Sequence, residues 1–202
     1  MGILNQLFGP SANEAWEPFA ATIGGEFTAG SWLTSPRIDL IRDATITTLD
    51  TYTVSSGKSS TRYTRMRMLF FNPHSLHLHI YCRTLFSNLG LLLGMQRLRT
   101  GTDFDRDFIV QGRPEETVLA VLASTDLRSL IMRQPLCDLS IKLHSGWFSP
   151  YSAGMTELHF QCAGTITDSG RLKWLFELFR LLSDRLTDLD PECDFRTGTK
   201  PV

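Results

Sequence analysis

Several residue patterns in this chain could do chemistry, and each prescribes a different kind. Gly57-Lys58-Ser59 copies the end of a phosphate-binding loop. In such a loop a second glycine stands five residues before the Gly-Lys pair, so that backbone N–H groups can cradle the phosphates. That position is Tyr52, and the segment reads instead as a hairpin turn between two Thr-rich strands. Asp103, Asp105 and Asp107 copy the opening of a calcium loop. Phe108 and Pro114 stand where the loop requires Gly for its tight turn and Glu as its bidentate ligand, which excludes calcium. Phe104 and Phe108 are one helical turn apart and are expected in the core. Neither G-x-S-x-G nor H-E-x-x-H occurs.

The four cysteines, Cys82, Cys137, Cys162 and Cys193, contain no C-x-x-C and read as reduced thiols. A Cys–His nucleophile fails on strand parity. Side chains alternate between the two faces of a strand, so Cys82 shares a face with Leu76, Leu78 and Ile80, opposite His77 and His79. Cys162 shares a face with Leu158 and Phe160, opposite His159. Both thiols are expected in the core, away from the imidazoles.

Histidines and arginines form a pattern that does not fail. Residues 61–71 and 75–83 are expected to pair as a hairpin around Asn72-Pro73. Setting Phe70, Met68 and Met66 against Leu76, Leu78 and Ile80 keeps apolar facing apolar, and a slip by one residue would mix the faces. This register places Arg67 opposite His79 and Arg65 opposite Tyr81. If the later strands join the same sheet, one face gathers Arg65, Arg67, His77, His79, Arg83, Lys142, His144 and His159, with Glu157 as the main acid. Two arginines beside imidazoles repel a cation, so zinc is disfavoured and an anionic ligand or an acidic partner surface fits better. The competing reading is a solvated polar face, covered by acids from Glu115, Glu116 or residues 184–194.

The last helix supplies a second candidate surface. Leu172, Leu175, Phe176, Phe179, Leu182, Leu186 and Leu189 make one apolar stripe. Trp174, Leu178 and Leu181 widen it to about 220°, where roughly 100° suffices for a surface helix. The helix is therefore either sandwiched between two layers or in contact with another chain. Ile3, Leu4, Leu7 and Phe8 share a face of a short N-terminal segment, which could cover that edge, dock on a partner, or touch a membrane peripherally.

The elements that must position these groups follow from periodicity. Residues 1–23 read as two helical pieces broken at Gly9-Pro10, the second started or kinked by Pro18. Residues 26–83 change to period 2 and describe about four strands. A short helix or loop over 85–98 and a short strand over 107–111 follow. Arg113-Pro114-Glu115-Glu116 opens a helix to Ala123, and Thr125-Asp126 caps another. Strands are expected near 137–144 and 156–166. Asp168 or Ser169 then caps a long helix that runs to about Leu189 and ends before Pro191. The order predicts an α+β domain over residues 1–190, with a mostly antiparallel sheet of six to seven strands. Its N-terminal, central and long C-terminal helices pack on that sheet. Residues 1–9 are a possible separate docking segment, and 191–202 a loose polar tail.

Composition narrows the classes. With 20 Lys and Arg against 21 Asp and Glu, the net charge of −1 offers no global attraction to nucleic acid. The longest apolar stretch, 85–95, is far short of the ~20 residues that cross a bilayer, and the expected location is the cytoplasm.

Residues 101–112, Gly-Thr-Asp-Phe-Asp-Arg-Asp-Phe-Ile-Val-Gln-Gly, precede two short helices that end near Met132. Over 101–134 they resemble an F-D-x-x-F-x-V signature of uncharacterised bacterial proteins, the DUF3137-like group. The resemblance implies a bacterial cytosolic or membrane-proximal protein and supplies no activity. The chain is expected to be a non-enzymatic binding or assembly subunit with a protein partner or a second copy of itself. The alternative is a small anionic-ligand binder or enzyme using the basic sheet face. No catalytic residue, metal or cofactor is assigned.

Overall fold

The computed structural model describes residues 11–57, 59–84, 97–143 and 154–195. Among them nine strands form one antiparallel sheet: β1 (Glu26–Thr28), β2 (Arg37–Arg42), β3 (Thr45–Ser56), β4 (Ser59–Phe71), β5 (His77–Cys82), β6 (Arg97–Leu98), β7 (Phe108–Arg113), β8 (Cys137–Leu143) and β9 (Met155–Ala163). Five helices accompany them: α1 (Ala12–Ile23), α2 (Phe104–Asp107), α3 (Glu115–Leu122), α4 (Thr125–Met132) and α5 (Ser169–Leu189). The class is α+β as expected. The strands beyond the expected six to seven include β1 and β6, three and two residues long, too short to show a period of 2.

The sheet runs β1-β2-β3-β4-β9-β8-β5-β7-β6. Its first four strands are a meander of neighbours, and β9 joins that half to the other. Ser56 pairs with Ser59, and Gly57 has a φ of 58°, the left-handed conformation a tight turn needs, so Gly57 and Ser59 stand at a hairpin end. The expected hairpin between residues 61–71 and 75–83 does not form. β4 pairs with β3 and β9, while β5 pairs with β7 and β8. The apolar faces of β9 and β5 suit Met66, Met68 and Phe70 equally well, because alternation decides which face a residue occupies, not which strand lies beside it. Asn72 redirects the chain instead. Its side-chain oxygen accepts from Leu76 N (2.9 Å) and its nitrogen donates to Leu76 O (3.0 Å).

One apolar face of the sheet carries the helices. α1 opens with a reciprocal cap: Glu14 N donates to Ser11 Oγ (3.3 Å) and Ser11 N donates to the Glu14 carboxylate (2.8 Å). It starts at Ala12 and carries Pro18 inside it, so Pro18 does not begin the helix. Fully buried Trp16 donates from Nε1 to Ile166 O (2.7 Å), tying α1 to the segment that enters α5. α4 is capped one residue before the expected position, by Ser124, and α5 by Asp168, whose carboxylate accepts from Arg171 N (2.6 Å).

The chain after α5 is anchored through Phe195, not loose. Phe71 and Asp194 exchange backbone hydrogen bonds, Phe195 stacks on Phe70 at 4.4 Å, and Cys193 and Phe195 are buried. Phe104 and Phe108 stack at 4.6 Å in the core, as their spacing predicts.

Candidate functional site

The polar face of the sheet is built in rows. Reading across the strands, Asp39, Thr48, Arg67, His159, Ser140, His79 and Gln111 are successive register partners. The row beside it holds Arg37, Asp50, Arg65, Gln161, Asp138, Tyr81 and Ile109. Arg67 and His79 thus share a row, but β9 and β8 lie between them, some 14 Å of sheet at the usual strand spacing. They are not opposite each other, nor is Arg65 opposite Tyr81.

Two carboxylates organise these rows. Asp50 accepts Nε and Nη2 of Arg65 (2.8 and 2.7 Å) and Nη2 of Arg67 (2.7 Å). Asp138 accepts Gln161 Nε2 (2.9 Å) and bonds His79 Nε2 (2.9 Å), while Tyr52 donates its hydroxyl to Gln161 Oε1 (2.5 Å). The result is a relay, Tyr52–Gln161–Asp138–His79, that crosses β3, β9, β8 and β5. Burial pushes the Asp138 carboxyl up, but the hydrogen bonds from His79 and Gln161 and the nearby imidazole charges outweigh it and leave it below its ordinary value. Burial raises the Tyr52 phenol despite the Arg65 guanidinium 4.9 Å above its ring, so Tyr52 stays protonated and donates.

The face is solvated only in part: Asp50, Gln111, Asp138, Ser140, Glu157 and His159 are buried, while Arg65, Arg67, His79 and Gln161 are half-buried. Arg67 Nε, His79 Nδ1 and Ser140 Oγ, in one row, are buried without a hydrogen-bond partner. Among the described residues no three His, Cys, Asp or Glu side chains converge as a metal site. Cys82 and Cys162 lie in the core on the other face, as parity predicts, and offer no nucleophile to the imidazoles.

The remaining predicted residues scatter. His77 sits at the β7 side, where Arg113 Nη2 meets its Nε2 at 3.1 Å. Arg83 bonds the Asp105 carbonyl through Nε (3.1 Å) and Nη2 (2.8 Å) and leaves the cluster. Lys142 pairs in register with Glu157. His144, Ile3, Leu4, Leu7 and Phe8 lie outside the described residues. Asp105 accepts from Thr100 N and Gly101 N, so its carboxylate is used within its own loop.

The histidines carry a pH signature. Burial, then the Arg113 charge, lowers His77, whereas the Asp190 hydrogen bond (2.7 Å) and charge raise His74. An NMR titration of the imidazole protons is expected to show His74 titrating above 6.5 and His77 below it. The His74 contribution to stability is complete below 6.5 and fades as pH rises through its folded value. The His77 contribution is complete above 6.5 and fades as pH falls through its own. A reversed order would contradict both pairings.

A second site lies beside α5. Between α5, the β2–β3 end and the chain around Phe195 is a cavity of about 630 Å³. Ile23, Leu40, Met68, Phe176 and Phe195 line its apolar floor, and Arg42, Lys173, Glu177 and Arg180 stand among its charged residues. Arg180 bonds both Glu177 (2.6 Å) and Asp184 (2.6 Å). The guanidinium of Arg180, with the charges of Arg42 and Lys173, holds the Glu177 carboxyl below its usual range. Trp174 also lines the cavity, 37% exposed, with the Arg133 guanidinium 4.5 Å from its ring. Met132 and Leu136, flanking Arg133 in the chain, are exposed as well.

Of the apolar residues expected at an interface on this helix, only Trp174 is open to solvent. Leu178 is buried and Leu181 packs partly against the core, because α1, α3 and α4 flank α5 on the sheet. The wide stripe is the sandwiched case at Leu178. Trp32 and Leu33, 91% and 73% exposed, are a feature that periodicity passes over. They sit on a turn where Ser31 Oγ accepts from Leu33 N (3.2 Å) and Thr34 N (3.1 Å).

No helix among the described residues is long and apolar enough to cross a membrane. No protein-family model, curated protein or solved structure matches the chain, so the resemblance over 101–134 gains no support from comparison.

Proposed function

We propose that this chain is a non-enzymatic binding subunit that receives a segment of a partner protein in the cavity beside α5. The observation that carries this reading is the cavity itself: an apolar floor, a rim of mixed charge in which Arg42 and Lys173 stand beside Asp43 and Asp194, and the exposed ring of Trp174 at its edge. Its volume falls in the range of ligand sites, roughly 300–1,000 Å³. The Arg133 guanidinium over the Trp174 ring adds a cation at the cavity edge, outside its lining, which suits a polypeptide better than a compact metabolite. Arg180 engages Glu177 and Asp184, and Arg42 and Lys173 are the lining cations that an acid beside an apolar anchor residue would meet, with Asp43 and Asp194 limiting how many acids the rim accepts. The resemblance over 101–134 would put such a complex in the bacterial cytoplasm or close to a membrane.

The alternative, a small anion on the sheet face, has less to rest on. Asp50 holds both arginines and Asp138 holds His79, so an anion would compete with carboxylates already in place.

Selection from a random peptide library on the immobilised chain tests the proposal. Peptides with a large apolar residue between Asp or Glu are expected, and Trp174→Asp or Lys173→Glu should weaken them at least ~10-fold, as loss of an interface anchor does. Selection of no such class, or equal binding by the variants, overturns it. Light scattering on the free chain shows whether the partner is a second copy.

A further inference from the structure

Three thiols stand side by side on the core face. Tyr81 of β5 and Asp138 of β8 are the last pair of that antiparallel ladder, and Cys82 and Cys137 are the next residues beyond it. Cys137 is in turn the register partner of Cys162 on β9. All three are free and buried, and Cys82 and Cys137 are hydrogen-bonded to each other. Directly paired strand residues have Cα atoms about 4.5–5.5 Å apart, inside the roughly 4.4–6.8 Å window of disulfides, and one step past the last pair the hydrogen bond between Cys82 and Cys137 keeps the two thiols in contact.

We propose that Cys82 and Cys137 form an oxidisable thiol pair that hydrogen peroxide converts into an intrachain disulfide. The three thiols are not equivalent, and the differences select this pair. Arg171 Nη2 bonds Cys162 Sγ at 3.3 Å and Arg171 Nε is held by Gln134 Oε1 at 3.0 Å, so Cys162 is engaged on its α5 side. Cys82 is the most exposed of the row, at 8% against 1% for Cys137 and 2% for Cys162. The Cys137 thiol and the backbone N–H groups of Leu136 and Cys137 bond its sulfur. Together they outweigh burial and pull Cys82 down to about 7. The shared proton stays on Cys137, which its bond to Cys82 and then burial hold well above an ordinary thiol. The thiolate is the nucleophile in thiol oxidation, so Cys82 reacts first.

Its sulfur attacks one peroxide oxygen, the S–O bond forms, the O–O bond breaks, and hydroxide leaves and is protonated. Cys82 is now a sulfenic acid, oxidised by two electrons, and the peroxide is reduced to water. Cys137 sulfur then attacks Cys82 sulfur. The S–S bond forms, the S–O bond breaks, and the departing hydroxide takes the Cys137 proton as a second water. Two thiols and one peroxide become one disulfide and two waters.

The test is peroxide titration of the full chain followed by peptide mapping. The expected product is a Cys82–Cys137 disulfide with a mass loss of about 2 Da. In Cys137→Ala, dimedone should trap Cys82 as the sulfenic acid, and in Cys162→Ala the disulfide should still form. Cys193 is an internal control in the wild-type chain, because burial and then Asp190 push it up to about 12. Alkylation of Cys82 at pH 7 should exceed that of Cys193 by on the order of 10-fold or more. This comparison decides even if the alanine variants do not fold. A Cys137–Cys162 link, an interchain link, or equal reactivity of Cys82 and Cys193 overturns the proposal.

Discussion

Replacing Asp50 by Ala should lower the unfolding free energy by about 3 kcal/mol, the low end for removing one member of a buried ion pair. The variant strands two guanidinium groups, because Arg65 and Arg67 both donate to this carboxylate and their side chains are only 27% and 28% exposed. Left without Asp50, the two like charges face each other across one strand position, and Arg67 Nε already lacks a partner. The loss should shrink when Arg65→Ala is added, because one of the stranded charges goes with it. Urea unfolding of the single and double variants reads this directly. A loss under ~1 kcal/mol, the value of an exposed pair, would mean that the arginines find other acceptors.

A comparable loss is expected at Trp16. Trp16→Ala removes a fully buried indole from the contact of α1 with the sheet and α5, and large-to-small changes of aromatic residues cost about 3–5 kcal/mol. It also leaves Ile166 O without the donor that now meets it at 2.7 Å, and an orphaned buried acceptor costs about 1–3 kcal/mol. Trp16→Phe separates the two effects. It keeps most of the volume and loses the hydrogen bond, so its cost should be clearly the smaller. Equal destabilisation by Phe and Ala would assign the whole effect to the hydrogen bond; no loss in either would detach α1 from the stability of the domain.

What can be read in the residues differs between faces and neighbours. Parity alone puts Cys82 and Cys162 in the core, and it equally puts Asp138 beside Ser140 and Lys142, so the carboxylate that holds His79 is visible in the alternation. Asp50 is not visible in the same way, because its role depends on β3 lying beside β4 in the observed register. The pairing of β4 with β9 cannot be seen at all: the two strands are distant in the chain, and the apolar faces of β5 and β9 are interchangeable to Met66 and Met68. The anchoring of Cys193 and Phe195 escapes for a related reason. Two apolar residues in a polar stretch show no period, and only the Phe70 ring and the Phe71 backbone bond give them a place. The cavity beside α5 is likewise a product of packing: the helical stripe marks Trp174 and Phe176 of its lining in advance, but not that a cavity lies beside them.

The position of β9 has a consequence for how the chain is made. The meander β1–β4 leaves the ribosome complete, but one flank of β4, with its row of backbone N–H and C=O groups, has no partner until residues 155–163 are synthesised. At ordinary elongation rates that wait is on the order of 10 s. During it the nascent chain presents a strand edge next to Met66, Met68 and Phe70, the kind of surface that chaperones bind and that seeds aggregation. Synthesis rate between β4 and β9 should therefore govern the yield of native protein more than the rate before β4 does.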